Sequence, residues 1–293
     1  ALFRATLIRV RAREHVLVCN LHHIVSDAWS MRVLVRDLAE LYRAARTRQP
    51  ANLGTPPTPY RAFAAWPHAY LAGAAGERDR AYWLRQMGSE RQVLALPTDA
   101  PRPALMTAAG CTHVFTLEPA LAAGLMRVAR DGQATAFMTV VALVKALLHR
   151  YTGQEDISVG SAVAGRDRAD WENTIGFFVN TLVLRDRVTR TEDFAALLAR
   201  VRATCLDALA HGAYPFDRLV DDLRLTRDLS RNPLFDVSVQ LATVERTEVR
   251  AEGLRIAQFD HGQSPAKCDL AFDFTESADG LVCARKDSAD LFH

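Results

Sequence analysis

The first fifty residues alternate apolar and charged stretches in a way that predicts a β-hairpin and a helix. The stretches LFRATLIRV and HVLVCNLHH are mostly apolar, and the charged segment RARE between them is typical of a hairpin turn. From Trp29 to Ala45 apolar residues recur at helical spacing, and charged residues fill the other positions. The pattern predicts two paired strands followed by an amphipathic helix.

Helices and strands alternate irregularly beyond a linker expected at Gln49 to Pro59, where Pro, Thr and Gly are frequent. We predict helices at residues 60–71, 77–87, 120–131, 134–151 and 193–210, and a short one from 216. We predict strands at residues 111–117, 157–164, 177–185, 235–243, 269–277 and 281–286. The helix over 134–151 is apolar on nearly every side, which indicates burial. This order of elements predicts α/β layers with mixed sheets.

Length and charge narrow the possible functions. The 293 residues exceed the usual single-domain range, so two lobes are expected. With 36 Lys and Arg against 34 Asp and Glu, the formal net charge is only +2 and the signs are interspersed, which argues against nucleic acid as the main partner. The longest apolar run, from Ala134 to Leu148, is interrupted by Thr135, Thr139 and Lys145. It does not reach membrane-spanning length, so we expect no membrane association.

The five cysteines are widely scattered, odd in number and without CxxC spacing. This usage predicts neither a disulfide framework nor a metal site, and it is typical of a reducing compartment. We therefore expect a cytoplasmic location. The chain starts inside a predicted strand without Met or a signal segment, so we also expect it to be a fragment of a longer protein.

The segment HHIVSDAWS, from His22 to Ser30, is the main candidate for chemistry because it lies where a strand ends and a helix begins. An imidazole at His23 is the group best suited to accept a proton from an amine near neutral pH, or to hold that amine by a hydrogen bond. We take His23, His22 and Asp27 as the candidate catalytic set. The alternative is that both histidines are core residues bonded to backbone groups.

Asp27 lies four residues after His23 and has two predicted roles. Its carboxylate can cap the following helix by accepting hydrogen bonds from free N–H groups. It can also form a buried salt bridge, which requires a cationic partner. The residues alone leave both roles open.

A set of motifs in a fixed order resembles one known family. HHIVSDA resembles the HHxxxDG signature of the condensation domains of nonribosomal peptide synthetases and of their chloramphenicol-acetyltransferase-like relatives. Several acyltransferase families share that signature, so the later motifs carry the specificity. Four further stretches resemble condensation-domain motifs in the family's order: TPYRAFAAW (58–66), IGFFVNTLVLR (175–185), HGAYPFDRLV (211–220) and RDLSRNPLFDVSV (227–239).

One position departs from the family pattern, because Ala28 stands where the signature has Gly. An alanine is strained there only if the position requires a left-handed backbone. We expect ordinary helical geometry at Ala28, in which the extra methyl group is harmless.

The resemblance implies an α/β fold of two chloramphenicol-acetyltransferase-like lobes, each with a mixed sheet, in a V-shaped arrangement with the first lobe incomplete. Residues 1–50 are then expected to be the remaining part of the N-terminal lobe, 51–59 the linker and 60–293 the C-terminal lobe. The family motifs that precede HHxxxDG are absent from the chain.

The resemblance also implies a partner for Asp27. Relatives pair the motif aspartate with a distant arginine, and Arg166 is our choice because it follows a predicted strand near the expected cleft. Arg168 and Arg185 compete for this role, and the alternative for Arg166 is a solvated loop position.

Four other residues are predicted to bind substrate or pantetheine: Trp29, Ser30, Asn180 and Thr181. Trp29 and Ser30 are expected to orient the loop that carries His23, although Trp29 is equally suited to core packing. The amide of Asn180 and the hydroxyl of Thr181 are suited to bond a pantetheine amide or the acceptor substrate. The alternative for this pair is hydrogen bonding to backbone at a sheet edge.

The function implied by the resemblance is amide bond formation between a donor acyl or peptidyl thioester and an acceptor aminoacyl thioester. Both are carried on 4'-phosphopantetheine arms of partner proteins, and no cofactor is bound directly. The implied partners are an upstream (donor) and a downstream (acceptor) peptidyl carrier protein and an adjacent adenylation domain, with the domain acting as a monomer within a multidomain chain.

Three other functions remain open at this point. An epimerisation domain has a similar fold and signature but inverts an α-carbon. A free-standing acyltransferase uses coenzyme A thioesters instead of carriers. A catalytically silent docking module only recruits partners, and the intact histidines and Asp27 argue against it.

Overall fold

The computed structural model describes residues 1–90, 92–226, 228–243, 249–257, 259, 265–277 and 280–293. The helices, in chain order, are α1 (Ala28–Thr47), α2 (Tyr60–Leu71), α3 (Ala74–Met87), α4 (Pro119–Asp131), α5 (Ala136–Thr152), α6 (Phe194–Ala210) and α7 (Phe216–Leu223). The strands are β1 (Phe3–Arg11), β2 (Glu14–Leu21), β3 (Gly110–Leu117), β4 (Asp156–Val163), β5 (Asn180–Arg187), β6 (Val237–Thr243), β7 (Val249–Ala251), β8 (Leu254–Ile256), β9 (Leu270–Ser277) and β10 (Gly280–Ser288).

The chain divides by its internal contacts into two compact units. The first contains Ala1–Ala72, Ala164–Val179 and the described residues within Glu245–Gly262. The second contains the described residues of Gly73–Val163, Asn180–Val244 and Gln263–His293. Helix α2 thus groups with the first unit by contacts, whereas the sequence assigned it to the C-terminal lobe. The lobe boundary at residues 51–59 stays a prediction, because contacts within the chain measure compactness and not lobe identity.

The first unit is built around the predicted hairpin and helix. Strands β1 and β2 pair antiparallel, with Leu7 opposite Leu17, and a short 3-10 turn at His23–Val25 connects β2 to α1. Asp27 precedes α1 as its N-cap. The strand and the helix predicted on either side of the HHIVSDAWS segment are therefore present. Strand β7 pairs with β8 and packs against α1.

The second unit contains a six-stranded sheet in the order β3-β10-β9-β6-β4-β5. The pairs β4–β6 and β6–β9 are parallel and the other neighbours are antiparallel. A sheet with both kinds of pairing, covered by helices, confirms the predicted mixed α/β class. A mixed sheet was expected in each lobe, but the described strands of the first unit form only antiparallel pairs.

The core of the second unit lies between this sheet and helices α5 and α6. Helix α5 packs against α4, α6, β4 and β6, and its middle, from Met138 to Leu148, is mostly buried, as its nearly uniform apolar surface predicts. Gly160 in β4 lies under the ring of Phe235, and a β-carbon added there would overlap that ring. The absence of a side chain at Gly160 therefore lets the aromatic ring pack directly on the sheet.

Two details of the strands differ from the sequence predictions. Strand β5 begins at Asn180, so residues 177–179 of the predicted strand lie outside the sheet. The short strands β7 and β8 were not predicted, because three residues are too few to show a period of two. The first residue of the motif RDLSRNPLFDVSV, Arg227, lies outside the described residues.

No single helix of the described chain has both the length and the apolar composition needed to cross a bilayer. One pair, α4 and α5, passes that test only when its two helices are taken together across a bend of 107°.

Candidate active site

His23 lies on the 3-10 turn between β2 and α1, and its side chain is exposed. Its Nδ1 is 2.6 Å from the carbonyl oxygen of Ser26. Because a carbonyl oxygen only accepts hydrogen bonds, Nδ1 carries the proton, and Nε2 of the neutral ring keeps its lone pair. The local turn thus fixes His23 in the tautomer that can accept a proton at Nε2.

His22 is held in the opposite tautomer. Its Nδ1 accepts a hydrogen bond of 3.1 Å from the backbone N–H of Ile24, so the proton of the neutral ring lies on Nε2. The two adjacent imidazoles are both exposed, which differs from the alternative of two core histidines. They offer different groups to a ligand, a donor from His22 and an acceptor from His23.

Asp27 fulfils both of its predicted geometric roles at once. Its Oδ1 accepts the backbone N–H of Ser30 at 2.7 Å, which caps α1, and its Oδ2 accepts the backbone N–H of Phe178 at 3.1 Å. Arg166 Nη2 lies 3.1 Å from Oδ1 and 3.3 Å from Oδ2. The carboxylate is buried, and its donors come from α1 and from the two ends of the segment 164–179 of the first unit.

These donors determine the charge state of Asp27. Burial by itself raises the pKa of the carboxyl, but the hydroxyl and backbone N–H of Ser30, the N–H of Phe178 and the charge of Arg166 together hold the pKa below its ordinary value of 3.8. Asp27 is therefore an ionised structural carboxylate at neutral pH, since every group bonded to it in the described chain is a donor.

Arg166 forms the ion pair with Asp27, and both side chains are at most 4% exposed. Its Nη1 donates to the carbonyl oxygens of Trp171 and Thr174 at 2.5 and 2.8 Å, so the guanidinium also closes the loop that follows it. The two competing arginines bind elsewhere. Arg168 pairs with Asp170, and Arg185 pairs with Asp156.

Trp29 and Ser30 connect α1 to the segment between residues 164 and 179. The hydroxyl of Ser30 lies 2.7 Å from Asp27 Oδ1 and 2.8 Å from the Gly176 carbonyl oxygen, and it accepts hydrogen bonds from Gly176 N and Arg166 Nη2. The indole Nε1 of Trp29 donates to the Glu172 carbonyl oxygen at 2.8 Å. Both side chains thus hold the start of α1 against residues 172–176. Their contact with substrate stays a prediction.

Gly165 explains how Arg166 reaches Asp27. The glycine has a positive φ of 63°, and a β-carbon added there would overlap the carbonyl oxygen of Phe178. Two backbone segments can pass this closely only where one residue lacks a side chain. The glycine before Arg166 is the sequence signal for this crossing, and its role was not predicted.

A second group that the sequence did not single out as functional lies at residues 176–178. Tyr60, the first residue of α2, donates its hydroxyl to the Phe177 carbonyl oxygen at 2.8 Å. The Tyr60 ring also covers Gly176 so closely that a β-carbon there would overlap it. The Phe177 ring meets the His23 ring edge-on, with centroids 5.0 Å apart. These contacts join positions far apart in sequence, so no local pattern predicts them. Their signal in the sequence is the pair of family-like motifs that contain these residues, TPYRAFAAW and IGFFVNTLVLR.

Asn180 and Thr181 belong to the second unit, where they begin β5. Asn180 Nδ2 donates to the carbonyl oxygens of Gly212 and Tyr214, both at 2.8 Å, and its Oδ1 accepts from Phe216 N at 3.0 Å. Both amide protons are thus used to hold the turn before α7. A pantetheine contact through the Asn180 donors would require breaking these bonds. The side chain therefore has the alternative role, which is hydrogen bonding to backbone groups.

Ala28 is the first residue of α1 and has ordinary helical backbone angles. It is not among the described residues with a positive φ. The methyl group that replaces the family's glycine therefore introduces no backbone strain.

The whole chain, residues 1–293, matches the family model described as the condensation domain. The chain belongs to the condensation domain family. This condensation domain is 41% identical to one of the linear gramicidin synthase proteins of Brevibacillus parabrevis, over 99% of its own length and 4% of that protein. It therefore spans only a small part of the curated relatives that it matches.

Solved structures share the fold of this condensation domain. The X-domain in its complex with OxyB from teicoplanin biosynthesis is 28% identical with a TM-score of 0.90, covering 100% of this chain and 66% of that one. The first condensation domain of the calcium-dependent antibiotic synthetase, in complex with a substrate analogue, is 26% identical with a TM-score of 0.76, covering 100% and 65%. The family and fold expected from the motifs are thus confirmed.

Proposed function

We propose that this condensation domain joins two carrier-bound acyl groups through an amide bond, with Nε2 of His23 as the proton acceptor. The observation that carries the proposal is the hydrogen bond from His23 Nδ1 to the Ser26 carbonyl, because it leaves Nε2 unprotonated on an exposed ring. An amine nucleophile needs a group of this kind to take its proton during attack.

In the proposed reaction the acceptor amine attacks the carbonyl carbon of the donor thioester. A carbon–nitrogen bond forms and the carbon–sulfur bond breaks, and the donor arm leaves with its sulfur. The proton lost by the amine passes through His23 Nε2 to the leaving sulfur, so no net charge accumulates. Because thioesters are already activated, alignment of the two tethered reactants supplies most of the rate, an effect worth up to about 7–11 kcal/mol in ideal cases.

Asp27 and Arg166 act in this proposal as positioning residues. The ionised carboxylate caps α1 and binds the backbone at Phe178, and the guanidinium closes the loop at residues 171–174. Neither group is free to exchange protons with substrate, because the carboxylate is buried among donors and arginine stays charged. Their role is to keep the turn that carries His23 in one geometry.

The partners proposed for this reaction are an upstream donor and a downstream acceptor peptidyl carrier protein, whose 4'-phosphopantetheine arms carry the substrates. An adjacent adenylation domain supplies the activated amino acid. Support comes from the relatives, which include a synthase of linear gramicidin and a calcium-dependent antibiotic synthetase. A cytoplasmic location follows from this setting and remains part of the proposal.

A second candidate function is a docking module without chemistry of its own. The observation that favours it is the TM-score of 0.90 to the X-domain, which was solved in complex with another protein, OxyB. The tautomer of His23 favours catalysis, because a module that only recruits partners has no need of an exposed proton acceptor.

A product assay separates these functions. The purified chain is mixed with a donor carrier bearing an acylated amino acid and an acceptor carrier bearing a free amino acid, and the acceptor is analysed by mass spectrometry. We expect an amide on the acceptor arm. Inversion of the donor α-carbon without an amide would identify an epimerisation domain, and transfer from coenzyme A thioesters without carriers would identify a free-standing acyltransferase. A chain that binds the carriers but leaves them unchanged would favour the docking module.

A further inference from the structure

The segment of residues 176–178 is held at each of its three positions by a different side chain. Ser30 Oγ accepts the N–H of the first residue at 3.0 Å, Tyr60 donates to the carbonyl of the second at 2.8 Å, and Asp27 accepts the N–H of the third at 3.1 Å. Hydrogen bonds at three consecutive residues leave this backbone little freedom to shift. The side chain in the middle is therefore presented from a rigid support.

That middle side chain is Phe177, and its ring contacts His23. The two ring planes are 87° apart with centroids separated by 5.0 Å, which is the edge-to-face arrangement that aromatic pairs prefer. Phe177 remains 36% exposed, so it is not simply a core residue of the unit. Its contact with the imidazole adds to the hydrogen bond that the ring makes through Nδ1 to the Ser26 carbonyl.

A single hydrogen bond at Nδ1 leaves an exposed imidazole free to tilt about that bond or to flip away from it. A second contact on a different part of the ring removes this freedom, because the ring plane is then defined by two supports. The Ser26 carbonyl fixes which nitrogen is protonated, and the Phe177 ring fixes where the other nitrogen points.

We propose that Phe177 is a positioning residue that holds the His23 ring so that Nδ1–H stays on the Ser26 carbonyl and Nε2 faces outward. The consequence for amide formation rests on the proposed function of His23. The orientation itself does not, since it is a property of the folded chain. Tyr60 contributes by anchoring the Phe177 carbonyl, so the TPYRAFAAW motif affects His23 without touching it.

The test is nitrogen NMR of the imidazoles in the whole chain labelled with ¹⁵N. Resonances of His23 are assigned by their loss in His23→Gln. For the neutral ring in the wild-type chain, we expect two well-separated nitrogen signals, as a single tautomer produces. Phe177→Ala should move the two signals toward each other, because the ring then samples both tautomers, and Phe177→Tyr, which keeps the aromatic ring, should restore the wild-type separation.

Phe259→Ala is the matched control, because Phe259 is another exposed aromatic residue of the first unit and should leave the His23 signals unchanged. Circular dichroism checks that every variant is folded. Unchanged His23 signals in Phe177→Ala would overturn the proposal, and so would averaged signals in the wild-type chain.

A kinetic arm separates this proposal from the proposed function. With loaded carriers, Phe177→Ala should lower kcat by about twofold to tenfold, the range expected for loss of one edge-to-face contact, and leave KM for the carriers unchanged. A change confined to KM would contradict a positioning role. If the wild-type chain forms no amide while the NMR response to Phe177→Ala is as expected, the proposed function fails and the positioning of His23 stands.

Discussion

His23 has one ring nitrogen bonded to the Ser26 carbonyl and one without a hydrogen bond to any described residue, and Asp27 has both oxygens bonded to neighbouring donors. These two facts assign different tasks to residues only four positions apart. The imidazole is equipped to exchange a proton, whereas the carboxylate is equipped to stay charged and hold the structure. Arg166 supplies the compensating charge that makes the buried carboxylate stable.

Removing the guanidinium tests this division of tasks. Arg166→Ala leaves Asp27 buried without its cation and frees the carbonyls of the following loop, so we expect it to lower the free energy of unfolding by about 3–5 kcal/mol. Denaturant titration measures the loss. Arg168→Ala is the matched control and should change little, because Arg168 pairs with Asp170 at an exposed position. Equal midpoints for the two variants would contradict the assigned ion pair.

The lowered pKa of Asp27 predicts a specific dependence of stability on pH. A carboxyl whose pKa in the folded chain lies below its unfolded value stabilises the fold fully above the unfolded value, near 3.8, and loses this contribution as the pH falls through the lower folded value. Asp27→Asn should therefore be less stable than wild type at neutral pH, and the gap should narrow in acid. Denaturant titrations of both proteins at neutral pH and below the ordinary pKa measure the gap, and an equal gap at both would refute the argument.

At the scale of elements, the site depends on one irregular segment, residues 164–179, which runs between strands β4 and β5 and joins the first unit. It carries Arg166 at one end and the residues around Phe177 at the other. Its backbone crosses itself where Gly165 meets Phe178, so the two ends of the segment are placed beside Asp27 together.

A side chain at that crossing should separate the two ends. Gly165→Ala combines the strain of a left-handed alanine with an overlap against the Phe178 carbonyl, so we expect a lower unfolding midpoint and reduced amide formation. Gly54→Ala carries the same backbone strain at a φ of 74°, but its β-carbon would meet no described atom within 4 Å. Thermal unfolding and the loaded-carrier assay should show the larger loss for Gly165→Ala. Equal losses in the two variants would mean that the crossing contributes nothing.

Sequence patterns predicted the elements better than the contacts between them. Helix α2 has the predicted bounds, because its apolar spacing and the preceding Pro59 are local signals. The apolar run at residues 177–179 was assigned to a strand, although its backbone binds the side chains of Tyr60 and Asp27 instead of a neighbouring strand. No local pattern reports a partner more than one hundred residues away, so the Asp27–Arg166 pair was expected only by resemblance to the family.

At the scale of the whole molecule, each unit contains its own buried ion pair. In the second unit the ammonium of Lys145, which is fully buried on α5, binds the Asp186 carboxylate of β5 and donates to the Leu184 carbonyl oxygen at 2.9 Å. Burial lowers the pKa of Lys145 and the charge of Asp186 opposes this effect. The pair joins helix α5 to the edge strand β5. The first residue of that strand, Asn180, in turn holds the turn before α7.

A double-mutant cycle tests the energetic importance of that pair. Lys145→Met or Asp186→Leu alone leaves an uncompensated buried charge, so each should lower the free energy of unfolding by about 3–5 kcal/mol. The double variant should cost far less than the sum, because both charges are gone and the volume is kept. Chemical unfolding followed by circular dichroism gives the four values, and strict additivity would contradict a coupled pair.

In the proposed reaction Nε2 of His23 takes the proton of the attacking amine, and single-turnover amide formation between loaded carriers measures the rate of this step. His23→Ala should slow amide formation by about 10²- to 10⁴-fold, the contribution expected of a general base. His15→Ala, at another exposed histidine of the first unit, should react at the wild-type rate. A folded His23→Ala variant that forms amide as fast as His15→Ala would contradict the claim.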